Sequence, residues 1–333
     1  MKPFTIEDAA SPQDAVTRFA RDNGEAVYCA GGTTMIDLIK LNLAQPRRVI
    51  NLLPLRAASN PITFDDRGLT SAATTTMSEV IAHPTVAEQF PVLIDSLRLA
   101  ASAQLRNAAT VGGNLLQRTR CAYFRDRNAA CNKHTPGSGC SAMQGDSRGL
   151  AILGTSGHCI ANYAGDLAIA LTALDARLTL LDSNGQERIL SVDALHRLPE
   201  DQPHIETNLK PGELIVSITI PPQSWQSSLY LKLRDRASYA FALASAAVAV
   251  NLDGTSVREV RIALGGLAAK PWRCREAEAF LQGKPITIAN AAAAATLCLQ
   301  GARTDDHRRF KLELGKRTLV RALLDVASTQ TGE

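Results

Sequence analysis

The sequence predicts an α+β protein built from two or three compact domains. Its 333 residues exceed the roughly 100–200 residues of a single domain. Strand-like and helix-like segments alternate near the N-terminus, whereas strand-like segments follow one another directly in the last third and then give way to helices. The composition, with 45% hydrophobic and 20% charged residues, is typical of a globular chain with a packed core.

Residues 1–55 are predicted to form a βαβαβ unit. The first helix begins at a cap, because Ser11 precedes Pro12 and the acidic Asp14 follows three positions after the serine. The remaining elements are short apolar segments with strand or helix periodicity. The strands are expected at residues 5–6, 26–29 and 48–51, and the second helix at residues 35–41.

Residues 56–222 mix strands and helices around one long irregular segment. Asn184-Gly185 between two apolar runs predicts a hairpin. The segment of about 118–160 is rich in Arg, Asn, Gly and Cys and has no regular periodicity, and such long loops are usually functional or disordered. The other predictions are paired strands at 61–72, two helices at 77–103 interrupted near Phe90-Pro91, hairpin strands at 177–181 and 187–190, and a strand at 213–220.

Residues 223–333 are predicted to form a sheet followed by helices. Pro221 and Pro222 end the preceding strand, so a boundary is expected at 221–228. The expected strands lie at 229–233, 241–251 and 257–264, and the expected helices at 272–282, 288–300 and 305–327.

Charge and hydropathy exclude several classes of partner. The net charge is only +4. The sequence contains no run of five basic residues, so it does not indicate binding to nucleic acid or to a membrane surface. The longest apolar stretch, residues 240–250, is far shorter than the roughly 20 residues of a membrane span. Because the N-terminus lacks the apolar core of a signal peptide, we expect the chain to be made and folded in the cytoplasm.

Two glycine-centred turns carry the first chemical signal. Ala30-Gly31-Gly32-Thr33, followed by Thr34, lies between a strand and a helix, and Thr110-Val111-Gly112-Gly113-Asn114 follows a helix that ends near Arg106-Asn107. Glycines let a backbone approach a ligand and point N–H groups at it, so a diphosphate would fit both turns. Plain tight turns are the alternative, because neither motif is a GxGxxG or a phosphate-binding P-loop.

Four of the seven cysteines are grouped in the irregular segment. Cys121, Cys131, Cys140 and Cys159 have the spacing C-x9-C-x8-C-x18-C, without the close CxxC pairs of most zinc sites. A cubane iron–sulfur cluster needs one cysteine per iron, which four thiolates on a loop can supply. A zinc site and four free thiols remain alternatives. Cations that would offset a cluster's negative charge are Arg118, Arg120, Arg125, Arg127 and Lys133; the isolated Cys29, Cys274 and Cys298 are interpreted as packing residues.

The two glycine motifs resemble the flavin-diphosphate turns of the FAD-binding subunits of molybdenum hydroxylases, which include carbon monoxide, xanthine and aldehyde-oxidising enzymes. The resemblance covers nearly the whole chain, through residues 104–107, 212–215, 264–266 and 270–272. It extends to the FAD subunits of periplasmic-type aldehyde oxidoreductases through residues 114–121, 131–133, 136–140 and 234–241.

This resemblance implies a fold and a set of cofactor contacts. The expected fold is a vanillyl-alcohol-oxidase-type FAD domain in two α+β subdomains, residues 1–55 and 56–222, with an iron–sulfur loop inserted at about 118–160. A sheet-and-helix domain like that of carbon monoxide dehydrogenase flavoproteins would follow at 223–333. The implied [4Fe–4S] ligands are Cys121, Cys131, Cys140 and Cys159. The implied FAD contacts are Tyr28, Cys29, Ala30, Gly31, Gly32, Thr33, Thr34, Met35, Thr110, Gly112, Gly113, Asn114, Gln117, Asp166, Ile215 and Lys232.

Two of these contacts have implied roles at the flavin. Asp166 would accept a hydrogen bond from the flavin, and Lys232 would supply positive charge close to the ring or the ribityl chain. The sequence departs from the family just before this aspartate: it has Tyr163-Ala164-Gly165 where the family more often has His-Pro-Ser. Gly165 therefore lacks a hydroxyl that could contact the flavin.

The resemblance also implies that substrate chemistry occurs in another chain, so no catalytic residue is expected here. A large molybdenum-cofactor subunit would oxidise an aldehyde to a carboxylic acid, and a small [2Fe–2S] subunit would relay the electrons. FAD held by this chain would pass them to an external acceptor, within a heterotrimer or its dimer. If a partner carries a twin-arginine signal, the folded complex would be exported to the periplasm.

Two alternative functions remain at this point. A flavin subunit of the hydroxybenzoyl-CoA-reductase type would carry electrons inward, but its cysteine spacing is tighter than the 18-residue gap before Cys159. A scaffold subunit that has lost its cofactors is the other alternative. The two intact glycine turns argue against it.

Overall fold

The computed structural model describes residues 1–22, 24–58 and 61–328, and its strands form three separate sheets. The strands are β1 Thr5–Asp8, β2 Ala26–Cys29, β3 Arg48–Asn51, β4 Ile62–Asp65, β5 Gly68–Ala72, β6 Arg177–Leu181, β7 Glu187–Ser191, β8 Leu214–Ile220, β9 Ser227–Leu233, β10 Ala244–Asp253, β11 Ser256–Gly265 and β12 Trp272–Arg273. The helices are α1 Pro12–Arg21, α2 Met35–Lys40, α3 Met77–Ala82, α4 Pro84–Gln89, α5 Pro91–Arg98, α6 Ala103–Ala108, α7 Val111–Leu115, α8 Ala122–Arg125, α9 Leu167–Ala173, α10 Val192–Leu195, α11 Arg275–Leu281, α12 Ile288–Cys298 and α13 Arg309–Ser328.

The N-terminal sheet confirms the predicted βαβαβ unit. Its three strands are parallel and lie in the order β1-β3-β2. The predicted cap is present, because the Ser11 side chain accepts a hydrogen bond from the Asp14 backbone N–H at 3.0 Å. The carboxylate of Asp14 in turn accepts from the Ala10 N–H at 2.9 Å. These bonds satisfy donors that a helix N-terminus otherwise leaves unpaired.

The second sheet has five strands in the order β4-β5-β8-β6-β7, with every neighbouring pair antiparallel. The hairpin at Gly185 is confirmed, and this glycine has the φ of +78° that the turn requires. The prediction of two helices at 77–103 is wrong in number, because α3, α4 and α5 are three helices. Pro84 and Pro91 each begin a new one, since proline cannot donate to the preceding turn.

The third sheet has the order β12-β11-β10-β9, and α11, α12 and α13 share its apolar core. Two helix predictions need correction. Trp272 lies in a strand rather than a helix because its backbone pairs with Leu264 of β11. The last helix begins at Arg309 rather than residue 305, because Asp305 forms a turn in which its carboxylate accepts from the Arg308 N–H at 2.9 Å.

Residues 118–160 form the irregular segment that the sequence predicts. Its regular structure is limited to α8, a single 3-10 turn at Ser141–Met143, and two isolated bridges, one antiparallel between Cys131 and Cys140 and one parallel between Leu153 and Ala268. Among the helices within the described ranges, none combines the length and apolar character needed to cross a membrane.

Candidate cofactor site

A cleft of about 440 Å³ lies where the first glycine turn meets the second. One side comes from the end of β2 and the start of α2, and the other comes from α7 and from β8. Most of the predicted FAD contacts line it: Tyr28, Cys29, Ala30, Gly31, Gly32, Thr33, Thr34, Met35, Thr110, Gly112, Gly113 and Ile215.

The first turn offers unpaired hydrogen-bond donors to this cleft. Within the part of the chain that the structure describes, none of the four backbone N–H groups from Gly31 to Thr34 donates to a protein acceptor. Gly32 has a φ of +71°, a conformation that favours glycine. Successive unpaired N–H groups in such a turn form a concave site for an anionic group. The first turn can therefore hold a diphosphate.

The two turns are pressed against each other at Gly31. A Cβ on this residue would lie 1.8 Å from the carbonyl oxygen of Ala108 and 2.6 Å from its carbonyl carbon. Both atoms belong to the backbone, so the neighbour cannot move aside as a flexible side chain would. Glycine is therefore required at this position for the two backbone segments to pack this closely.

The second turn differs from the prediction because its N–H groups are already used by the protein. Val111 donates to the Thr75 carbonyl at 2.9 Å, and Gly112 donates to the Ala73 carbonyl at 2.9 Å. The remaining two bonds go to Thr110: Gly113 donates to its hydroxyl at 3.2 Å, and Asn114 to its carbonyl at 2.8 Å. The second turn is thus the capped start of α7, and it gives the cleft a small-residue wall rather than donors.

Tyr28 and Cys29 line the cleft from the end of β2. The Tyr28 hydroxyl is already committed, since it donates to the Gly212 carbonyl at 2.7 Å, and its ring packs on Phe19 with centroids 4.9 Å apart. Burial raises the pKa of the Cys29 thiol, which keeps this thiol neutral. Both side chains therefore shape the apolar part of the cleft.

Several cleft residues are not predicted from the sequence. The sequence assigns Ser11 and Pro12 only to the cap of α1, and Arg118 only to the cysteine loop. Leu116, Arg118, Glu213 and Leu214 lie in motifs of the family resemblance, which is a signal that could have found them. The others come from distant elements and have no local signal: Ala10, Leu38, Leu52, Leu55, Ala72, Ala73, Thr74 and Val216.

Asn114 and Gln117 do not line this cleft. The Gln117 side-chain nitrogen donates to the Asn114 carbonyl at 3.0 Å and to its side-chain oxygen at 3.2 Å. Gln117 instead borders a small polar cavity of about 40 Å³ beside His196. A Cβ on Gly165 would lie 2.5 Å from the Tyr163 hydroxyl and 2.6 Å from the Gln117 nitrogen, so a larger residue here would require these side chains to shift.

Asp166 and Lys232 also lie outside the cleft, and they pair with each other. Their charged atoms are 2.8 Å apart, and both side chains are buried. The Asp166 carboxylate also accepts from the Tyr230 hydroxyl at 2.7 Å, and the Lys232 ammonium donates to the Leu99 carbonyl at 2.9 Å. Burial raises the pKa of Asp166, while the ammonium opposes that rise. Their contact with a flavin stays a prediction.

The four central cysteines contribute to one small core. Cys121, Cys131 and Cys159 are buried, and the partly buried Cys140 packs against them. The Ala161 N–H donates to the Cys159 sulfur at 3.4 Å. Burial raises the pKa of the Cys159 thiol to about 11, and the Lys133 ammonium acts in the opposite direction.

The donor set of this core is four thiols, with a backbone N–H directed at one sulfur. Within the described residues, no three His, Cys, Asp or Glu side chains form a group that could hold one metal ion. A cubane cluster needs one thiolate for each of its four irons. Four thiols in one core match that number and type of ligand, and their binding of a cluster stays a prediction.

The cations of the loop are mostly paired with carboxylates, and their predicted role in offsetting cluster charge stays a prediction. Arg125 donates to both carboxylate oxygens of Asp37, at 2.8 and 3.0 Å, and Arg120 donates to the same group at 3.2 Å. Glu206 likewise accepts from Arg118 and from Lys133. These cations chiefly tether the loop, and Asp37 belongs to α2, directly behind the first glycine turn.

One side chain is common to the cleft and the cysteine core. Leu38 of α2 lines the cleft, and it also packs in the buried cluster that contains Cys121, Cys131 and Cys159. Only 5% of its surface is exposed. Leu38 therefore belongs both to the wall of the cleft and to the core that contains these cysteines.

Two family models together match nearly the whole chain. The FAD binding domain in molybdopterin dehydrogenase matches residues 2–223, and the CO dehydrogenase flavoprotein C-terminal domain matches residues 229–326. The chain is 42% identical over 326 residues to the aldehyde oxidoreductase FAD-binding subunit PaoB of Escherichia coli (strain K12), covering 98% of both chains. It is 24% identical to the glyceraldehyde dehydrogenase medium chain of Sulfolobus acidocaldarius, covering 85% of this chain and 82% of that one.

A solved structure extends the comparison to three dimensions. Quinoline 2-oxidoreductase from Pseudomonas putida 86 contains a chain that superposes with a TM-score of 0.76, at 25% identity and covering 99% of both chains. The predicted α+β flavoprotein fold is thereby confirmed.

Proposed function

This chain belongs to the family of FAD-binding subunits of molybdenum hydroxylases, and from that premise we propose that it is the FAD- and [4Fe–4S]-binding electron-transfer subunit of an aldehyde oxidoreductase. Aldehyde oxidation to a carboxylic acid would take place at a molybdenum cofactor in a large partner subunit. A small [2Fe–2S] subunit would deliver the electrons to this chain. The support for an aldehyde is the likeness to the aldehyde oxidoreductase subunit of Escherichia coli.

The first glycine turn is the proposed anchor of FAD. The open N–H groups from Gly31 to Thr34 would bind its diphosphate, and the small residues of the second turn would let the ligand lie close to α7. The buried Leu38 would pack against its apolar portion. When bound, FAD supplies two-electron redox capacity that can be filled and emptied one electron at a time.

Cys121, Cys131, Cys140 and Cys159 are the proposed ligands of the cluster. Their thiols would have to lose protons on assembly, against the raised pKa that burial gives Cys121 and Cys159. Lys133 favours the thiolate of Cys159. A bound [4Fe–4S] cluster supplies one-electron redox capacity.

The observation that carries the two-cofactor proposal is the position of Leu38. Leu38 lines the cleft and belongs to the core that contains Cys121, Cys131 and Cys159, so a flavin in the cleft and a cluster on the cysteines would lie near each other. Proximity of that kind suits electron transfer between them and onward to an external acceptor. The proposal also includes folding in the cytoplasm, followed by export of the complex if a partner carries a twin-arginine signal.

The test is an assay of flavin, iron and acid-labile sulfide on the anaerobically purified complex. About four iron and four sulfide per FAD are expected in addition to those of the [2Fe–2S] subunit, since a cubane contains four of each. Cys131→Ser and Cys140→Ser should lose these additional four while keeping the flavin and the iron of the [2Fe–2S] subunit. Cys274→Ser, which changes a buried thiol outside the loop, is the matched control and should keep both.

Each half of the proposal can fail separately. FAD with no iron beyond that of the [2Fe–2S] subunit in the unaltered complex would remove the cluster and leave a plain flavin subunit with a cysteine-bearing loop. The additional four iron without flavin would remove the assignment of the cleft. Zinc in place of iron, at one per chain, would identify the cysteines as a structural zinc site.

A further inference from the structure

One asparagine side chain connects distant parts of the cysteine segment. Asn132 directly follows Cys131, and only 8% of its surface is exposed. Its side-chain oxygen accepts from the Gly137 N–H at 3.1 Å and from the Gly139 N–H at 3.0 Å. Its side-chain nitrogen donates to the His158 carbonyl at 2.9 Å. All three partners are backbone groups, so these bonds fix the path of the chain itself.

The residues joined by these bonds lie next to three of the proposed cluster ligands. The asparagine directly follows Cys131, and one of the two glycine donors directly precedes Cys140. The residue that supplies the carbonyl acceptor directly precedes Cys159. The remaining ligand, Cys121, is held separately, because its N–H donates to the Thr119 hydroxyl at 3.3 Å. One amide group therefore orders the backbone beside three of the four cysteines.

The bond to the His158 carbonyl joins two parts of the segment, residues 131–140 and residues 156–161. The first part is also held by the antiparallel bridge between its two cysteines. Within the ranges that the structure describes, the Asn132 amide makes the only hydrogen bond between the two parts. Apart from packing in the shared core, the position of Cys159 relative to the other two cysteines therefore depends on this bond.

An asparagine side chain matches all three partners, and an aspartate does not. Backbone N–H groups donate and a carbonyl accepts, so the side chain at this position must accept on one side and donate on the other. An aspartate of the same shape would accept from both glycines but would place an oxygen against the His158 carbonyl. Gly137 and Gly139 have φ values of +85° and +96°, which side-chain-bearing residues rarely adopt. The backbone is thus shaped to direct both N–H groups at the asparagine.

We propose that Asn132 is a positioning residue for the [4Fe–4S] cluster. Its amide holds the backbone of Cys131, Cys140 and Cys159 in place before the cluster assembles, which reduces the ordering that binding requires. The amide acts through the backbone of the ligands and does not itself bind iron. This role rests on the proposed function, because it requires that the cysteines bind a cluster.

The experiment measures how fast the additional four iron leave the anaerobically purified complex in the presence of a ferrous-iron chelator. Release requires the segment to open, and each lost hydrogen bond should make opening about tenfold more frequent. Asn132→Asp loses the bond to the His158 carbonyl and should release this iron about tenfold faster than the unaltered complex. Asn132→Ala loses all three bonds and should release it roughly a hundredfold faster or more.

Two further readouts separate positioning from a general loss of stability. FAD content and the release of iron from the [2Fe–2S] subunit should be the same in all variants, which makes them internal references. The electron paramagnetic resonance spectrum of the reduced [4Fe–4S] cluster should change in Asn132→Asp, because the backbone of one ligand is no longer fixed. A merely structural role would leave that spectrum unaltered.

Asn251→Ala is the matched control. Asn251 is also buried, with 4% of its surface exposed, and its amide also bonds to backbone groups. It accepts from the Gln226 N–H at 2.8 Å and donates to the Ser224 carbonyl at 3.0 Å. Because it lies in β10, outside the cysteine segment, this variant should lower thermal stability while keeping the iron release rate and the spectrum of the unaltered complex.

Gly139→Ala tests the same contact from the other side. Its Cβ would meet nothing within 4 Å, so the substitution acts only through the positive φ. Iron release should accelerate, but by less in a chain that already carries Asn132→Ala, because both changes remove the same bond. Gly149→Ala, in the same segment and without a positive φ, should leave iron release unchanged.

Failure of this role and failure of the cluster give different results. Equal iron release and equal spectra in the unaltered complex and in Asn132→Asp would overturn the positioning role and leave the cluster in place. Equally fast release from Asn251→Ala would also overturn it, since lost stability would then account for the effect. Absence of the additional iron from the unaltered complex would overturn the cluster and the positioning role together. If Asn132→Ala does not fold, the isosteric Asn132→Asp still decides.

Discussion

The two glycine turns look alike in the sequence but do different work in the structure. In the first turn, the N–H groups from Gly31 to Thr34 are open to the cleft. In the second, the N–H groups of residues 111–114 are all accepted by Ala73, Thr75 and Thr110. A Gly-Gly pair flanked by small polar residues therefore does not by itself indicate a phosphate-binding turn. Such a turn can bind phosphate only if its backbone N–H groups do not already donate to acceptors elsewhere in the protein.

Gly31→Ala should produce the largest effect, because it separates the two turns. The added Cβ would lie 1.8 Å from the Ala108 carbonyl oxygen, and only a backbone shift can relieve that clash. We expect loss of about 3 kcal/mol or more of stability and no retained FAD. Calorimetry and flavin release would measure both. Gly157→Ala, whose Cβ meets nothing within 4 Å, should behave like the unaltered chain; equal damage from the two changes would contradict the close approach.

Gly112→Ala should have the second largest effect, and it should lower the stability of the protein even without FAD. Its Cβ would lie 2.7 Å from the Ala73 Cβ and 2.9 Å from the Ala73 oxygen that accepts the Gly112 N–H. We expect a loss of about 1–3 kcal/mol in the protein without flavin. Denaturant unfolding of the flavin-free form checks this. An unchanged midpoint together with weakened FAD binding would show that the second turn contacts the ligand directly.

Thr33→Val should weaken FAD binding without changing the fold. The Thr33 hydroxyl belongs to the open turn, and losing one hydrogen bond to a charged group should reduce affinity about tenfold. Titration of flavin-free protein with FAD would measure this, with Thr33→Ser as the variant that keeps the hydroxyl. A lower unfolding midpoint for Thr33→Val, with unchanged FAD affinity, would contradict the distinction between a ligand-binding first turn and a structural second turn.

Thr110→Ala should give the smallest effect. In contrast to Thr33→Val, it should lower stability and leave FAD binding unchanged. The Thr110 hydroxyl caps α7 by accepting from the Gly113 N–H at 3.2 Å. Its removal should lower the free energy of unfolding by about 1 kcal/mol while leaving saturable FAD binding intact. Thermal unfolding of the flavin-free protein is the readout, and Thr110→Ser should restore the midpoint. A tenfold loss of affinity with no change in midpoint would reverse the roles of the two turns.

Much of the local structure follows from short sequence patterns. The cap of α1, the hairpin at Gly185 and the long irregular segment depend on neighbouring residues, so their prediction needs no tertiary information. The errors arise where distant partners decide. Trp272 is extended because Leu264 of β11 pairs with it, and nothing within the segment 272–282 records that pairing.

The sequence alone determined which residue types are present to bind cofactors: small residues for close approach, hydroxyls for donors and four thiols in one loop. Only the tertiary structure decided how they are used. It set which glycine turn keeps its donors, and it placed Leu38 both in the wall of the cleft and in the core that contains the cysteines. The physical reason is range, because propensity and periodicity act over a few residues, whereas hydrogen-bond satisfaction and core packing join residues far apart in the chain.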